Sequence, residues 1–287
     1  MAATAGTPRA RALAAALRDA RKATGLGLRE LARILSMSHA LLSLWETGKR
    51  VPNMEQVANI VGALRIVPEK REQILELARK VDEPNWLTVG VPGIPAQLAG
   101  VIECERASVD ITEWAPMVLP GFLQTPDYAR NIASSNGMPE YDIESRVMVR
   151  AHRRDAIARR RDPVRFSALI GEAAVRDPVG LPAELMVDQL NYLIEMSERT
   201  NIHISVVPFN SGWHPGTAGP FILYQFQDSS PVVYFEHYSS GAFIPDDDEI
   251  HAYQKAIRLI KNIAMQPSES VKFIANLTEE MEHVNDE

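Results

Sequence analysis

The first quarter of the chain repeats apolar residues at helical spacing. Leu13, Leu17 and Ala20 recur at intervals of three or four, with arginines on the opposite face, which is the period of an amphipathic α-helix. The same pattern continues to residue 81. It predicts helices at residues 8–24, 28–35, 39–47, 54–66 and 68–81. Five short helices in about 80 residues predict a compact all-α domain.

The connection between the second and third predicted helices is short. Ser36-Met37-Ser38 joins them, and serine at position 38 is a typical N-cap residue. Gly48 follows the third helix, where a left-handed C-terminal cap favours glycine. Two short helices joined in this way predict a helix-turn-helix bundle.

The pattern changes after residue 81. Residues 82–97 are rich in Pro and Gly and predict a linker. Beyond them, helical periodicity alternates with β-branched and aromatic runs typical of strands. Helices are predicted at 97–114, 126–135, 142–161, 181–199 and 246–265, and strands at 164–170, 203–209, 219–226 and 232–239. The sequence therefore predicts a first domain at 1–81 and a second, α+β domain at 98–287 with a small mixed sheet.

The charge of the chain is divided unevenly. The formal net charge is −7. Residues 1–80 contain 14 Lys and Arg against 7 Asp and Glu, so this segment carries +7 and the remainder −14. A basic segment joined to an acidic body is typical of a nucleic-acid-binding module with a second domain. The overall acidity is therefore compatible with DNA binding through the first domain.

Cysteine usage and apolar runs indicate the compartment. Cys104 is the single cysteine, which fits a reducing cytosol and predicts a small buried hydrophobe on a helix. No apolar stretch has the length of a signal peptide or of a bilayer span. We expect a cytoplasmic protein that does not enter a membrane.

A DNA-binding helix-turn-helix needs an apolar inner set, a compact turn and exposed polar or basic side chains around its second helix. The inner set here is Leu31, Ala32, Leu35, Leu42 and Trp45. Residues 30–52 resemble the Xre/Cro-type helix-turn-helix. The residues that carry the resemblance are Glu30-Leu31-Ala32, Ser38, Leu42-Ser43, Glu46, Gly48 and Pro52.

The resemblance implies a regulator whose third helix enters the major groove of double-stranded DNA. The DNA-binding residues expected on and before this helix are Ser38, His39, Ala40, Leu41, Ser43 and Leu44. Phosphate contacts are expected from Arg29, Lys49 and Arg50, with Arg18, Arg21 and Lys22 on the first helix. Because operators of this kind contain two half-sites, we expect a homodimer.

Several positions differ from the usual content of the Xre/Cro family. Gly27-Leu28 replaces the common Thr-Gln, and Ser36 replaces the turn glycine. Ala40 and Leu44 cannot make the bidentate base contacts that supply about 1–3 kcal/mol of discrimination each, although they can touch thymine methyl groups. In an alternative interpretation, Leu28, Leu41 and Leu44 form an exposed apolar patch that binds a protein.

Beyond residue 82 the chain resembles the DUF5753 family, a domain of unknown function attached to such modules in actinobacterial regulators. The resemblance rests on several phrases, among them VLPGFLQTPDYA (118–129), RAHRR (150–154), EAAVR (172–176), GWHP (212–215) and VYFE (233–236). It implies a regulator that is often paired with a small partner protein of the DUF397 family.

The second domain contains no motif of a known catalytic site. It has no helical His pair at metal-ligand spacing, no Gly-x-Ser-x-Gly elbow and no Gly-rich phosphate loop after a strand. Glu172 and Glu236 lie at predicted strand ends, with His214 and His237 near them in order. Such a Glu is more often a structural hydrogen-bond acceptor than an acid or base. We therefore expect no enzymatic activity, no cofactor and no metal.

Two segments of the second domain are candidates for binding a ligand or partner. The loop at 208–221 either lines a pocket with Trp213, His214 and Glu236, or is a plain connection with Trp213 packed inside. The predicted helix at 142–161 places Arg146, Arg150 and Arg153 on one face. That face is a solvated surface, a site for an acidic partner protein or an extension of the DNA footprint.

These features predict a DNA-binding transcriptional regulator whose second domain senses a protein partner or a small effector. The alternative is a protein-interaction module from a two-protein, antitoxin-like pair, in which DNA binding is secondary.

Overall fold

A computed structural model describes most of the chain. The residues described are 8–79, 81, 88–89, 96–135, 137–140, 142–144, 147–148, 150–151, 163–177, 179–227, 230–236, 240–244 and 246–285. They divide into two compact units. The first contains the N-terminal residues up to 107 and strand residues 240–244, and the second contains 108–227, 233–236 and 246–285.

Five helices form the bundle at the start of the first unit. They are α1 (Pro8–Ala23), α2 (Leu28–Ile34), α3 (His39–Glu46), α4 (Met54–Leu64) and α5 (Pro68–Arg79). The prediction of an all-α bundle is confirmed. Its core is the apolar stripe of each helix, with Leu13, Leu31, Leu42, Trp45 and Ile60 almost fully buried.

A sixth helix, α6 (Ala96–Ala107), packs along α1 in the same unit. Cys104 is fully buried on α6, as predicted. Strand β1 (Thr88–Val89) pairs antiparallel with β7 (Ser240–Ile244), so this unit also contains a short ladder.

The predicted helix at 97–114 is wrong in its second half. The helix ends at Ala107, and Ser108–Ala115 is strand β2. This strand pairs with a neighbour on each side, and Val109, Ile111 and Thr112 supply β-branched side chains that suit a sheet. Pairing with distant strands overrides the helical periodicity that a local pattern suggests.

The second unit is an α+β arrangement around a mixed sheet, as predicted. The remaining strands are β3 (Arg165–Gly171), β4 (Ile202–Val207), β5 (Phe221–Phe226) and β6 (Val232–Glu236), in the order β6-β5-β2-β3-β4. The β2, β3 and β4 strands are parallel, and β5 is antiparallel to β2. The helices are α7 (Pro126–Ser135), α8 (Glu172–Arg176), α9 (Ala183–Ser197), α10 (Asp247–Ile263) and α11 (Pro267–Asn285).

The parallel strands place three chain segments at one edge of the sheet. Strands β2, β3 and β4 end at Ala115, Gly171 and Val207, and the carboxyl ends of parallel strands share an edge. The loops that follow β2 and β4 therefore lie on either side of the start of α8. The predicted helix at 142–161 is helical at 142–144, 147–148 and 150–151, and its remaining residues lie outside the described ranges.

Candidate nucleic-acid interface

The turn between α2 and α3 is a closed, hydrogen-bonded C-cap. The backbone N–H of Met37 donates to the carbonyl of Ala32 at 2.9 Å, and the N–H of Ser36 donates to Arg33 at 3.1 Å. This pair of bonds is a Schellman motif, which favours glycine at its left-handed position. Ser36 occupies that position with φ +52°. Ser36 therefore closes this turn in a conformation that favours glycine.

A buried ion pair ties the end of α3 to α1. Arg21 Nε and Nη2 donate to the two carboxylate oxygens of Glu46, each at 2.7 Å, and Arg21 Nη1 donates to the Leu26 carbonyl at 2.8 Å. The two side chains are only 12% and 6% exposed. Hydrogen bonding to Glu46 raises the pKa of Arg21. The fork of two parallel bonds fixes α3 in rotation as well as in position.

The outer face of α3 is small and weakly polar. Ala40 and Leu44 are exposed, Ser43 is half-buried and Thr47 follows one turn later. The Thr47 hydroxyl donates to the Ser43 carbonyl at 2.8 Å, which leaves its oxygen lone pairs facing outward as acceptors. Helical spacing places these four residues on one side, opposite the buried Leu42 and Trp45.

Exposed basic and polar residues lie on α2, at the start of α3 and directly after α3. Arg29, Lys49 and Arg50 are exposed, as are His39 and Ser38. Ser38 occupies the N-cap position of α3, and its hydroxyl makes no capping bond. Gly48 has φ +71° after the end of α3, and the N–H of Arg50 donates to the Leu44 carbonyl at 3.1 Å. The segment that carries Lys49 and Arg50 is thus fixed against α3.

At the carboxyl edge of the parallel strands, Glu172 anchors the loop that follows β4. Glu172 Oε2 accepts from the Phe209 backbone N–H at 2.7 Å, and Oε1 accepts from Arg176 Nε. The Glu172 side chain is 11% exposed. Its burial alone would raise the pKa, but the bonds from Phe209 and Arg176 outweigh this effect and the pKa of Glu172 is lowered. The carboxylate is therefore a structural acceptor.

A second anchor holds the end of the same loop. Trp114 Nε1 donates to the Gly216 carbonyl at 2.8 Å, and the Trp114 ring meets His214 edge-on with ring centroids 5.5 Å apart. A Cβ atom at position 216 would lie 2.7 Å from the Trp114 ring. The close approach therefore requires glycine at 216.

Two glutamines organise the segment before α7. Gln189 Nε2 donates to the Leu123 carbonyl and its Oε1 accepts from the Thr125 N–H, both at 2.7 Å. Gln124 Nε2 donates to the Leu119 carbonyl at 2.7 Å. Gln124, Thr125 and Arg150 line a shallow cleft on the surface.

Two family models match the chain. A model described as "Domain of unknown function (DUF5753)" matches residues 98–276, and one described as "Helix-turn-helix domain" matches residues 12–74. The chain belongs to the DUF5753 family. The comparisons with curated proteins and with solved structures gave no match. The helix-turn-helix match, together with the geometry of α2 and α3, supports a DNA-binding regulator.

The structure separates the residues expected at the DNA interface into two groups. The exposed ones are Arg29, Ser38, His39, Ala40, Leu44, Lys49 and Arg50, whereas Ser43 and Leu41 are half-buried. Arg21 was expected to contact phosphate, and this expectation is wrong because Glu46 binds its guanidinium. Of the residues in the expected apolar patch, Leu44 is exposed, whereas Leu28 and Leu41 are half-buried and pack against the core of the bundle.

The residues expected to bind a ligand in the DUF5753 domain do not converge. Trp213 is 83% exposed, so the interpretation with Trp213 packed inside is wrong, and His214 packs inward instead. Glu236 is exposed at the end of β6, three strand spacings from β3, or about 14 Å. Glu236 and Glu172 are therefore not an acid–base pair.

The expected arginine face falls largely outside the described residues. Arg146, Arg153 and His237 are among those not described. Arg150 is half-buried and borders the cleft beside Gln124. The common face predicted for the three arginines therefore stays a prediction.

Sequence analysis missed the ion pair of Arg21 with Glu46 and the roles of Thr47 and Phe209. Arg21 lies one turn after Leu17 on the inward stripe of α1, which is a local signal for an inward-facing charge. Thr47 lies on the outer face of α3. Phe209 joins Trp213 as an exposed aromatic residue, and no pattern in the sequence distinguishes an exposed aromatic in a loop from a packed one.

Metal sites and membrane spans are both absent from the described residues. No group of three or more His, Cys, Asp and Glu side chains lies close enough there to hold a metal ion. No helix among them combines the length and the apolar character needed to cross a membrane.

Proposed function

We propose that this protein is a dimeric transcriptional regulator that inserts α3 into the major groove of double-stranded DNA. The observation that carries the proposal is the fixed position of α3. The Arg21–Glu46 ion pair and the hydrogen-bonded turn at Ser36 hold this helix with its Ala40–Leu44 face outward. A recognition helix must be held in this way for its outer side chains to reach base edges reproducibly.

The charged residues around α3 supply affinity. Arg29, Lys49 and Arg50 lie on the exposed surface beside the outer face, where they neutralise phosphates and release counterions. Ala40 and Leu44 contact thymine methyl groups, and the oxygens of Ser43 and Thr47 accept hydrogen bonds from adenine or cytosine amino groups. We infer half-sites in which thymine methyl groups face α3.

The test compares two double variants that remove the same charge. Lys49→Ala with Arg50→Ala acts at the proposed interface, and Lys70→Ala with Arg71→Ala acts on exposed residues of α5. If Lys49 and Arg50 contact phosphates, their loss reduces the slope of log affinity against log salt by about 1.8, since each contact contributes roughly 0.9. The α5 variant leaves the slope close to that of the wild type. Equal slopes for the two variants would contradict the proposed orientation.

A second measurement tests whether α3 discriminates between DNA sequences. Leu44→Ala removes apolar contact at the centre of the outer face, and we expect a lower ratio of operator to random-DNA affinity with an unchanged salt slope. Operator duplexes are obtained by selection from genomic DNA with the wild-type protein. An unchanged ratio would mean that α3 positions the protein without reading bases.

We further propose that the DUF5753 domain receives the regulatory signal, from a protein partner or from a small effector. A small DUF397-type protein is the candidate partner that the resemblance implies. The alternative, a protein-interaction module with secondary DNA binding, is less well supported because Leu28 and Leu41 pack inward. Mixing the purified proteins and measuring the mass of the complex tests the partner, and the change in operator affinity tests the signal.

A further inference from the structure

The carboxyl edge of the parallel strands exposes four large apolar side chains. Phe209 is 54% exposed and Trp213 83%, both in the loop after β4. Met117 is 58% exposed and Val118 41%, both in the loop after β2. We name these four residues the edge patch. Large apolar side chains grouped on a surface mark interaction sites more often than single ones.

Contacts with the end of β3 bring the two loops together. A Cβ atom on Gly171 would lie 2.4 Å from the carbonyl oxygen of Pro116, so the first loop passes directly over the end of β3. The next residue, Glu172, accepts the hydrogen bond from the Phe209 N–H. Met117 directly follows Pro116, so Met117 and Phe209 are held beside two adjacent residues of the chain. The two loops that carry the edge patch therefore lie side by side at the end of β3.

The loop that carries the aromatic residues is held in place. Ser211 Oγ donates to the Pro208 carbonyl at 2.6 Å, and Asn210 and Gly212 adopt the left-handed conformation, with φ of 62° and 74°. His214 packs against Trp114 at the end of the loop. Trp213 is therefore presented by a fixed backbone, which lowers the entropy cost of burying it in an interface.

The size of the edge patch fits an interface between two copies. Since aromatic side chains offer about 150–250 Å² each, the four residues at these exposures present about 450 Å² of surface. Two such patches face to face bury about 900 Å², close to the roughly 1,000 Å² that a specific interface needs.

The charges at the edge patch are also compatible with self-association. A two-fold interface places each group opposite the same surface of the second copy, so an unbalanced charge there repels itself. The four residues of the edge patch are uncharged, and Glu172 beneath the loop is paired with Arg176, which also lies 3.9 Å from Glu280. An apolar, uncharged patch is complementary to its own copy.

We propose that the edge patch is the two-fold interface of a homodimer, in which Trp213 of one copy packs on Met117 of the other. This inference rests on the proposed function for its purpose, since two copies present two α3 helices to two half-sites. The four residues of the edge patch all lie in the second unit, whereas the proposed DNA-binding helix lies in the first. Association in the absence of DNA therefore tests the interface separately from DNA binding.

The first experiment measures the mass of the full chain by light scattering, without DNA. We expect twice the chain mass of 31.9 kDa for the wild type and for the control Leu259→Ser, which changes an exposed apolar residue of α10. Trp213→Arg and Met117→Asp, each an exposed substitution, are expected to be monomers with unchanged thermal unfolding per chain. A monomeric wild type, or dimers that persist in both variants, would overturn the proposal.

The second experiment mixes the two monomeric variants. One contact of the mixed pair then joins the arginine introduced by Trp213→Arg to the aspartate introduced by Met117→Asp, and the other joins native Trp213 to native Met117. We expect dimers to return on mixing at equal concentration and to weaken in high salt. Failure to return would overturn the two-fold arrangement. Binding of either variant to operator DNA, measured at saturating protein concentration, reports on α3 alone. A failure of DNA binding can therefore be distinguished from a failure of the dimer interface.

Discussion

Two glutamates, the buried Glu46 in the first unit and the half-buried Glu172 in the second, hold neighbouring segments in place by different means. Glu46 is bound by Arg21, 25 residues away, through two bonds in a nearly inaccessible site. Glu172 is bound by Arg176 within one helical turn, at an arginine that is 41% exposed, and by the distant Phe209 N–H. In the first unit the ion pair joins two helices. In the second, the backbone bond makes the long-range connection and the ion pair is local.

The largest effect is expected from Arg21→Ala. The substitution leaves Glu46 buried without its cation, and breaking a buried pair in this way costs about 3–5 kcal/mol. Urea unfolding combined with hydrogen exchange at residues 39–46 measures the loss. Arg33→Ala on the exposed surface of α2 serves as the control and should change stability by less than about 0.5 kcal/mol. Equal losses would mean that the ion pair does not fix α3.

A smaller effect is expected from Glu172→Ala. The Phe209 N–H loses its acceptor, and a hydrogen bond to a charged group contributes about 1.5–3 kcal/mol. Faster hydrogen exchange should be confined to the loop at 208–214, with α3 unaffected. Glu195→Ala, on the exposed side of α9, is the control. Loss of protection at α3 as well would contradict the independence of the two anchors.

The pH dependence of stability tests the hydrogen bonds of Glu172. The pKa of Glu172 is lower in the folded state than its ordinary value of 4.5. Its stabilisation is therefore complete above that value and is lost as the pH falls through the folded pKa. Glu172→Gln keeps an oxygen acceptor for Phe209 but does not titrate. The stability difference between wild type and variant should be constant from about pH 6 to 8 and shrink below about pH 4.5. A difference that grows on acidification would contradict the assignment.

The smallest effect is expected from Arg176→Ala. An exposed pair within one helical turn contributes about 0.3–0.5 kcal/mol, and Phe209 still donates to Glu172. Exchange at the Phe209 amide should remain slow in this variant, in contrast to Glu172→Ala. If Arg176→Ala matched Glu172→Ala, the ion pair rather than the backbone bond would hold the loop.

The sequence predicts the five-helix bundle well because its structure is local. Each helix there has its own apolar stripe, caps and breaks, so all five were found within two residues of their ends. The Arg21–Glu46 pair was missed because its partners belong to different helices. In the second unit, strand β2 was read as helix because its pairing partners lie about 50 and 110 residues further along the chain, beyond the reach of a periodicity argument.

The candidate sites also contain features that local helical spacing predicts and features that distant contacts decide. The exposed face of α3 follows from helical spacing, which correctly separated Leu42 and Trp45 from Ala40 and Leu44. The exposure of Trp213 could not be predicted in this way. It depends on the hydrogen bond from Phe209 to Glu172 and on His214, rather than Trp213, occupying the space beside Trp114.

The alanine-rich helix α1 limits where the chain can be truncated. Its leucines face the bundle, while Ala12 and Ala15 are buried outside that core and α6 packs along the helix. A fragment ending at residue 81 lacks α6 and leaves a row of methyl groups in water. A fragment ending at residue 107 retains α6. We therefore expect the longer fragment, rather than the shorter one, to remain soluble when the helix-turn-helix bundle is prepared alone.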